Sequence, residues 1–234
     1  MKCVDVAIGE LQFVEFWNYY FKIFNENFGK QEKLTKLMVK VLKYVAMADD
    51  SYILSDFVID HRECFKKIII ELANRNPFLL SSDTFLMLGD FVYDNQYVAQ
   101  LFYELNLFSL LLDFLAENVI DPHLSIFVLK SFFRFADQQL IQQFVASNPE
   151  MISLFFSLVK DPDLSKDDCL DLLNIIKLSV SVNFGPEESI GLIQSNSDYL
   201  DSLDYAQQRL GIKIYNQPDL DHFIGAVFQQ SNRF

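Results

Sequence analysis

Residues 34–48 read Leu34-Thr35-Lys36-Leu37-Met38-Val39-Lys40-Val41-Leu42-Lys43-Tyr44-Val45-Ala46-Met47-Ala48. Leu34, Leu37, Met38, Val41, Leu42 and Val45 recur at steps of three and four. That spacing makes one broad apolar stripe on an α-helix. Leu124, Phe127, Val128, Phe132 and Phe135 repeat the pattern, and so do Leu170, Leu173, Ile176 and Val180.

Composition agrees with helices throughout. The chain has 234 residues, 51% of them apolar, with 24 Phe but only 7 Gly and 6 Pro. Sandwiches and barrels need many tight turns, which Gly and Pro supply. An apolar fraction this high excludes a disordered chain. The densest apolar run, Leu105 to Leu115, is interrupted by Asn106 and Asp113, so no membrane span is expected. Residues 1–10 contain Asp5 and Glu10 and do not read as a signal peptide. Cys3, Cys64 and Cys169 stand far apart and form no CxxC pair, which suits a reducing, cytoplasmic or nuclear setting.

The helices group into threes. The periodicity predicts helices over 34–48, 52–59 and 62–73, then 83–93, 96–104 and 108–117. Two further sets follow: 124–136, 139–146 and 150–160, then 166–182, 186–194 and 199–210. An acid ends the long helix of the first three sets, at Asp50, Asp94 and Asp137, at spacings of 44 and 43 residues. Armadillo and HEAT repeats have a period of about 40–47 residues. The expected fold class is therefore all-α. It is a single right-handed armadillo/HEAT-type solenoid of about four three-helix repeats over 31–76, 77–120, 121–160 and 161–212. An N-terminal cap helix (1–30) and a C-terminal cap (213–234) close its ends. Ser81, Ser82 and Asp83 are candidate caps of one long helix, and Ser165 of another. Pro77, Pro122 and Pro162 mark the repeat junctions.

Chemical motifs are absent. His61, His123 and His222 form no zinc-type pair with one another or with a second Cys. There is no HExxH, GxSxG, P-loop or dinucleotide glycine pattern. Adjacent carboxylates such as Asp167/Asp168 and Glu187/Glu188 point in different directions on a helix, so they make no acid–base pair. The expectation is a non-enzyme that uses no cofactor and no metal.

Charge narrows the partners. The net charge is −13; residues 1–75 balance to zero, and the whole excess lies in residues 76–234. Phosphate binding needs clustered Lys and Arg, so direct nucleic-acid binding is not expected. The acid serves either solubility or attraction of a basic partner.

The last third resembles importin alpha. Lys160-Asp161-Pro162-Asp163-Leu164 followed by Cys169-Leu170-Asp171-Leu172-Leu173-Asn174-Ile175-Ile176-Lys177 looks like that family's final full armadillo repeat. Tyr199 to Gln207 resembles the family's C-terminal helix, and Gln139 to Val145 a helix of the preceding repeat. The similarity covers roughly residues 124–230. It implies recognition of a protein or extended peptide by the long helices, through Trp and Asn side chains. In this chain the matching positions hold Phe85 and Gly89, Val128 and Phe132, and Leu170 and Asn174; the only Trp is Trp17, outside the repeats. There is also no basic N-terminal arm. The resemblance makes Phe85, Gly89, Asp90, Val128, Phe132, Asn174 and Lys177 the candidate concave binding face. It makes Asp201 and Asp204 a candidate acidic contact for an export receptor; the alternative is that they are the solvated side of a terminal helix.

Two functions follow as expectations. One is a protein- or peptide-binding adaptor. The other is an obligate structural or regulatory subunit of a larger complex, suggested by the aromatic load that includes Phe102, Tyr103, Phe127, Phe133, Phe155 and Phe156. Neither the partner nor the oligomeric state is legible.

Overall fold

The computed structural model describes residues 14–47, 51–210 and 218–231. Cys3, Asp50 and the outer ends of both expected caps lie outside the described residues. Among the described residues there are fourteen α-helices and no strand. They fall into two compact units, 1–136 and 137–234. The first contains α1 (Val14–Asn27), α2 (Glu32–Ala46), α3 (Ser51–Asp60), α4 (Arg62–Ala73), α5 (Ser82–Val92), α6 (Gln96–Glu104), α7 (Leu107–Ala116) and α8 (Pro122–Phe135). The second contains α9 (Gln138–Ser147), α10 (Met151–Val159), α11 (Lys166–Asn183), α12 (Pro186–Gln194), α13 (Ser197–Leu210) and α14 (Pro218–Ser231). The boundary passes through the expected repeat 121–160, with α8 on one side and α9 and α10 on the other.

In the first unit α2, α5 and α8 lie side by side, and α3 and α6 pair behind them. Several helices of the first unit stop on left-handed residues. Arg75, two residues past the end of α4, and Asn118, two past the end of α7, both adopt left-handed backbone, at φ 56° and 52°. The N–H of Asn76 donates to the Glu71 carbonyl, and that of Val119 to the Phe114 carbonyl, each at 3.0 Å. These are Schellman closures, in which a left-handed residue turns the chain and satisfies the last carbonyls. Gly29 (φ 80°) ends α1 with the same left-handed backbone. Helix starts are capped by side chains. Asn95, Asp121, Asp137 and Ser165 accept the N–H of Val98, His123, Leu140 and Asp168 respectively. The expected cap at Ser165 is present. At α5 the Ser81 hydroxyl instead meets the Thr84 hydroxyl at 3.2 Å.

Several polar contacts join residues at similar sequence separations. In the first unit Lys43 pairs with Asp83 at 2.7 Å, Ser55 donates to Asn95 at 3.0 Å, Arg62 pairs with Glu104 at 3.1 Å, and Arg75 pairs with Glu117. In the second unit Gln142 donates to the Val182 carbonyl at 2.5 Å, the Ser153 and Tyr199 hydroxyls meet at 2.7 Å, and Arg209 donates to the Asp161 carbonyl at 2.6 Å. The partners stand 40 to 48 residues apart in every case.

The core is aromatic. The largest fully enclosed side chains are all Phe, among them Phe65, Phe85, Phe91, Phe102, Phe108 and Phe132 in the first unit and Phe144, Phe155 and Phe156 in the second. Phe65 meets Phe91 edge-on at 5.0 Å, and Phe108 lies 4.0 Å from Phe132. Each buried Phe contributes about 2–3 kcal/mol of transfer free energy. Ser125, on α8, is fully buried and its hydroxyl has no hydrogen-bond partner. An unsatisfied buried polar group costs about 1–3 kcal/mol. Ser125→Ala is therefore expected to raise the urea midpoint, by up to about 1 kcal/mol after the lost packing of one oxygen; a drop would show a satisfied hydroxyl.

α1 is held by rings. Phe21 stacks on His61 at 3.8 Å, and Phe57 meets the same imidazole edge-on at 4.8 Å. Burial pulls the His61 pKa below its ordinary value, with Asp60 opposing. The unfolded chain thus takes up the proton first, so His61 supports the fold fully above about pH 6.5 and less as pH falls. Urea midpoints between pH 7.5 and 5.5 should show this loss in the wild type and a smaller one in His61→Gln.

Candidate protein-binding face

Each long helix of the first unit keeps one side in the core and turns a narrow stripe outward. On α2 the buried side chains are Thr35, Met38, Val39, Leu42, Val45 and Ala46. Leu37, which the apolar spacing places inward, is 58% exposed. It lies in line with Lys33, Lys36, Lys40, Tyr44 and Met47, which are also exposed. α5 exposes less, because α2 and α8 cover both its flanks: its outward positions are Asp83, Leu86 and Asp90, followed by Tyr93. On α8 the outward stripe is His123, Phe127, Lys130 and Arg134.

This layer has a definite electrostatic pattern. Acids on the central helix lie between basic side chains on both neighbours. Lys43 closes on Asp83, and burial raises the pKa of the half-covered Asp90 carboxyl, with the same Lys opposing. Aromatic rings border the face: Tyr93 meets Phe135 at 4.8 Å, and the Arg134 guanidinium lies over the Phe135 ring at 5.2 Å. Between α2 and the start of α5 is a cavity of about 350 Å³ lined by Lys36, Val39, Lys40, Ser81, Ser82 and Asp83.

Most of the residues that the resemblance nominated are not on this surface. Phe85, Val128 and Phe132 are fully buried, and Gly89 is enclosed against the Phe127 ring. They are corrected to core positions: the register that aligns them with the Trp and Asn ladder points them at neighbouring helices. Asp90 alone of the first-unit candidates faces outward, half-buried. In the second unit Asn174 is half-buried, and its amide donates to the Leu170 carbonyl of its own helix at 3.0 Å. Lys177 lines a cleft of about 320 Å³ between α11, α12 and α14, with Phe184, Asp219, His222 and Phe223. Asp201 and Asp204 are exposed on α13, where the Gln208 amide donates to Asp204 at 2.7 Å.

Sequence reading missed Lys36, Lys40, Leu86 and Arg134. The signal that locates them is the complement of each apolar stripe, tracked helix by helix.

The two described thiols are inert by position. Cys64 and Cys169 are buried, and burial raises both, so they stay protonated at neutral pH. Among the described residues no group of His, Cys, Asp or Glu is placed to hold a metal ion. No single helix among them is long and apolar enough to cross a membrane. No protein-family model matches the chain, and neither a curated protein nor a solved structure matches it at a significant level.

Proposed function

We propose that this chain is an armadillo/HEAT-type repeat protein that binds another protein or an extended peptide, without catalysis, on the outward face of α2, α5 and α8. The observation that carries the reading is that face: three adjacent helices present charged and apolar side chains in alternation, over a core that does not need them. Interfaces combine apolar anchors with a charged rim in this manner. The recurrent 40–48-residue interval of the polar contacts and the left-handed stops at Gly29, Arg75 and Asn118 support the repeat reading. With those stops aligned, α1 takes the place of a third helix, like α4 and α7.

The importin-alpha-like role is the finer proposal, and it rests on the resemblance over residues 124–230. Burial of Phe85, Gly89, Val128 and Phe132 argues that any such role does not use a Trp and Asn ladder in the first unit. The obligate-subunit reading loses its main support. Phe102, Phe133, Phe155 and Phe156 fill the cores, and Tyr103 and Phe127 are half-covered.

The test is copurification from the native cell followed by a double substitution, Leu86→Lys with Tyr93→Ala. Both positions are outward, so circular dichroism should be unchanged while the bound protein is lost. A partner retained at full yield by the folded variant would sink the reading.

A further inference from the structure

We infer that the exposed stripe of α2 is a docking edge for an acidic amphipathic segment of a partner protein; this rests on the binding function proposed above. Three large apolar side chains, Leu37 and Tyr44 on α2 and Met47 at its C-cap, are 58%, 60% and 61% exposed. They fall at positions seven and three residues apart, so one side of α2 carries an apolar line of about 15 Å at the usual rise per residue. A solvated helix face has no use for such a line, and contiguous exposed apolar surface of this kind marks interaction sites.

The charge around the line selects the partner. Lys33, Lys36 and Lys40 are exposed beside it. The described acid of α2, Glu32, is spent on Lys36 at 2.6 Å, and Lys43 on Asp83. Lys33 and Lys40 thus stand in a basic strip on a chain whose net charge is −13. Such a strip attracts carboxylates, while the net charge of −13 makes two whole copies of the chain repel each other. The adjoining cavity is lined by Lys36 and Lys40 from α2 and by Ser81, Ser82 and Asp83 at the start of α5. Lys43 already neutralises Asp83 and Glu32 pairs with Lys36, so Lys40 and the two serine hydroxyls are the groups that would receive a partner's carboxylate. A helix lying across α2 with Leu-type anchors at i, i+3 and i+7 and Asp or Glu between them satisfies both features. Complementary charge would set its orientation and speed its arrival.

The experiment uses the full chain and a fluorescent synthetic peptide with Leu at helical spacing and Glu between. Anisotropy titration should show saturable binding that weakens with added salt. Lys36→Glu with Lys40→Glu should weaken it by about tenfold or more. Leu37→Ser with Tyr44→Ser should weaken it at unchanged salt slope. A peptide with Lys in place of Glu should not bind. The inference is overturned if the acidic peptide fails to bind, if both variants bind it equally well, or if the stripe is needed instead for anionic vesicles, for nucleic acid or for self-association seen by light scattering. If the copurified partner is lost with Leu86→Lys/Tyr93→Ala but retained with Lys36→Glu/Lys40→Glu, the binding function stands and only this inference falls.

Discussion

Phe132→Ala is expected to lower stability by about 3–5 kcal/mol, the range for truncating a fully enclosed Phe. The ring is wholly buried, 4.0 Å from Phe108 on α7 and 5.4 Å from Phe133. Removal leaves a void where α8 meets α7, and neither neighbouring ring fills it without leaving its rotamer. The measurement is urea unfolding followed by far-ultraviolet circular dichroism, with the midpoint moving at unchanged slope. The same substitution separates two views of this residue. A ligand-contacting Phe would leave stability within about 0.5 kcal/mol and abolish partner binding. A core Phe does the reverse at temperatures where the variant is still folded. The structure supports the second outcome. Phe132→Leu, which refills most of the space, should recover more than half of the loss.

That contrast shows what was legible in the chain and what was not. Periodicity gives helix type and length well. The helix expected over 96–104 spans Gln96–Glu104, and that expected over 186–194 spans Pro186–Gln194. Local chemistry gives the ends, because Ser165 and Asp137 cap through their own side chains. The acid landmark is off by one position: Asn95, not Asp94, occupies the cap equivalent to Asp137, and Asp94 is a left-handed residue before it. A slip of one position barely alters a spacing of about forty residues, but it moves a binding face. On a helix one residue turns a side chain by about 100°, so the register that nominated Phe85, Gly89, Val128 and Phe132 points them into the core.

Which side of a helix is outward also depends on how many neighbours it has. α2 packs on α1 and α5 and leaves Leu37 and Tyr44 to solvent, although their residue types predict burial. α5 is flanked by α2 and α8 and retains only a narrow stripe of Asp83, Leu86 and Asp90. A single sequence carries no record of neighbour number. The apolar residues in excess of a buried stripe, Leu37 and Tyr44 among them, are its nearest signal.

The second large effect concerns Gly89, whose position has a purpose that its alignment with an Asn conceals. A Cβ built there would lie 2.2 Å from Cε1 and 2.6 Å from Cδ1 of Phe127. The glycine lets the ring of α8 lie directly on the backbone of α5. Gly89→Ala therefore has two opposed terms. It gains about 1 kcal/mol of helix propensity. It loses about 1–3 kcal/mol because the Phe127 ring must leave or the helices must separate. The expected net is destabilisation by up to about 2 kcal/mol, and Gly89→Val, bulkier and β-branched, should cost about 3 kcal/mol or more. The decisive measurement is the cycle with Phe127→Ala. In that background nothing blocks the methyl group, so Gly89→Ala should become stabilising by up to about 1 kcal/mol, a reversal of sign that corresponds to a coupling near 2 kcal/mol. Phe127 is half-exposed, and its ring belongs to the proposed binding face, so the same cycle reads on function. If the ring swings outward in Gly89→Ala, partner affinity should change while the core holds. If the helices part instead, stability falls and affinity follows it. Destabilisation of equal size in both backgrounds would show that the close approach of α5 and α8 is held by something other than this glycine.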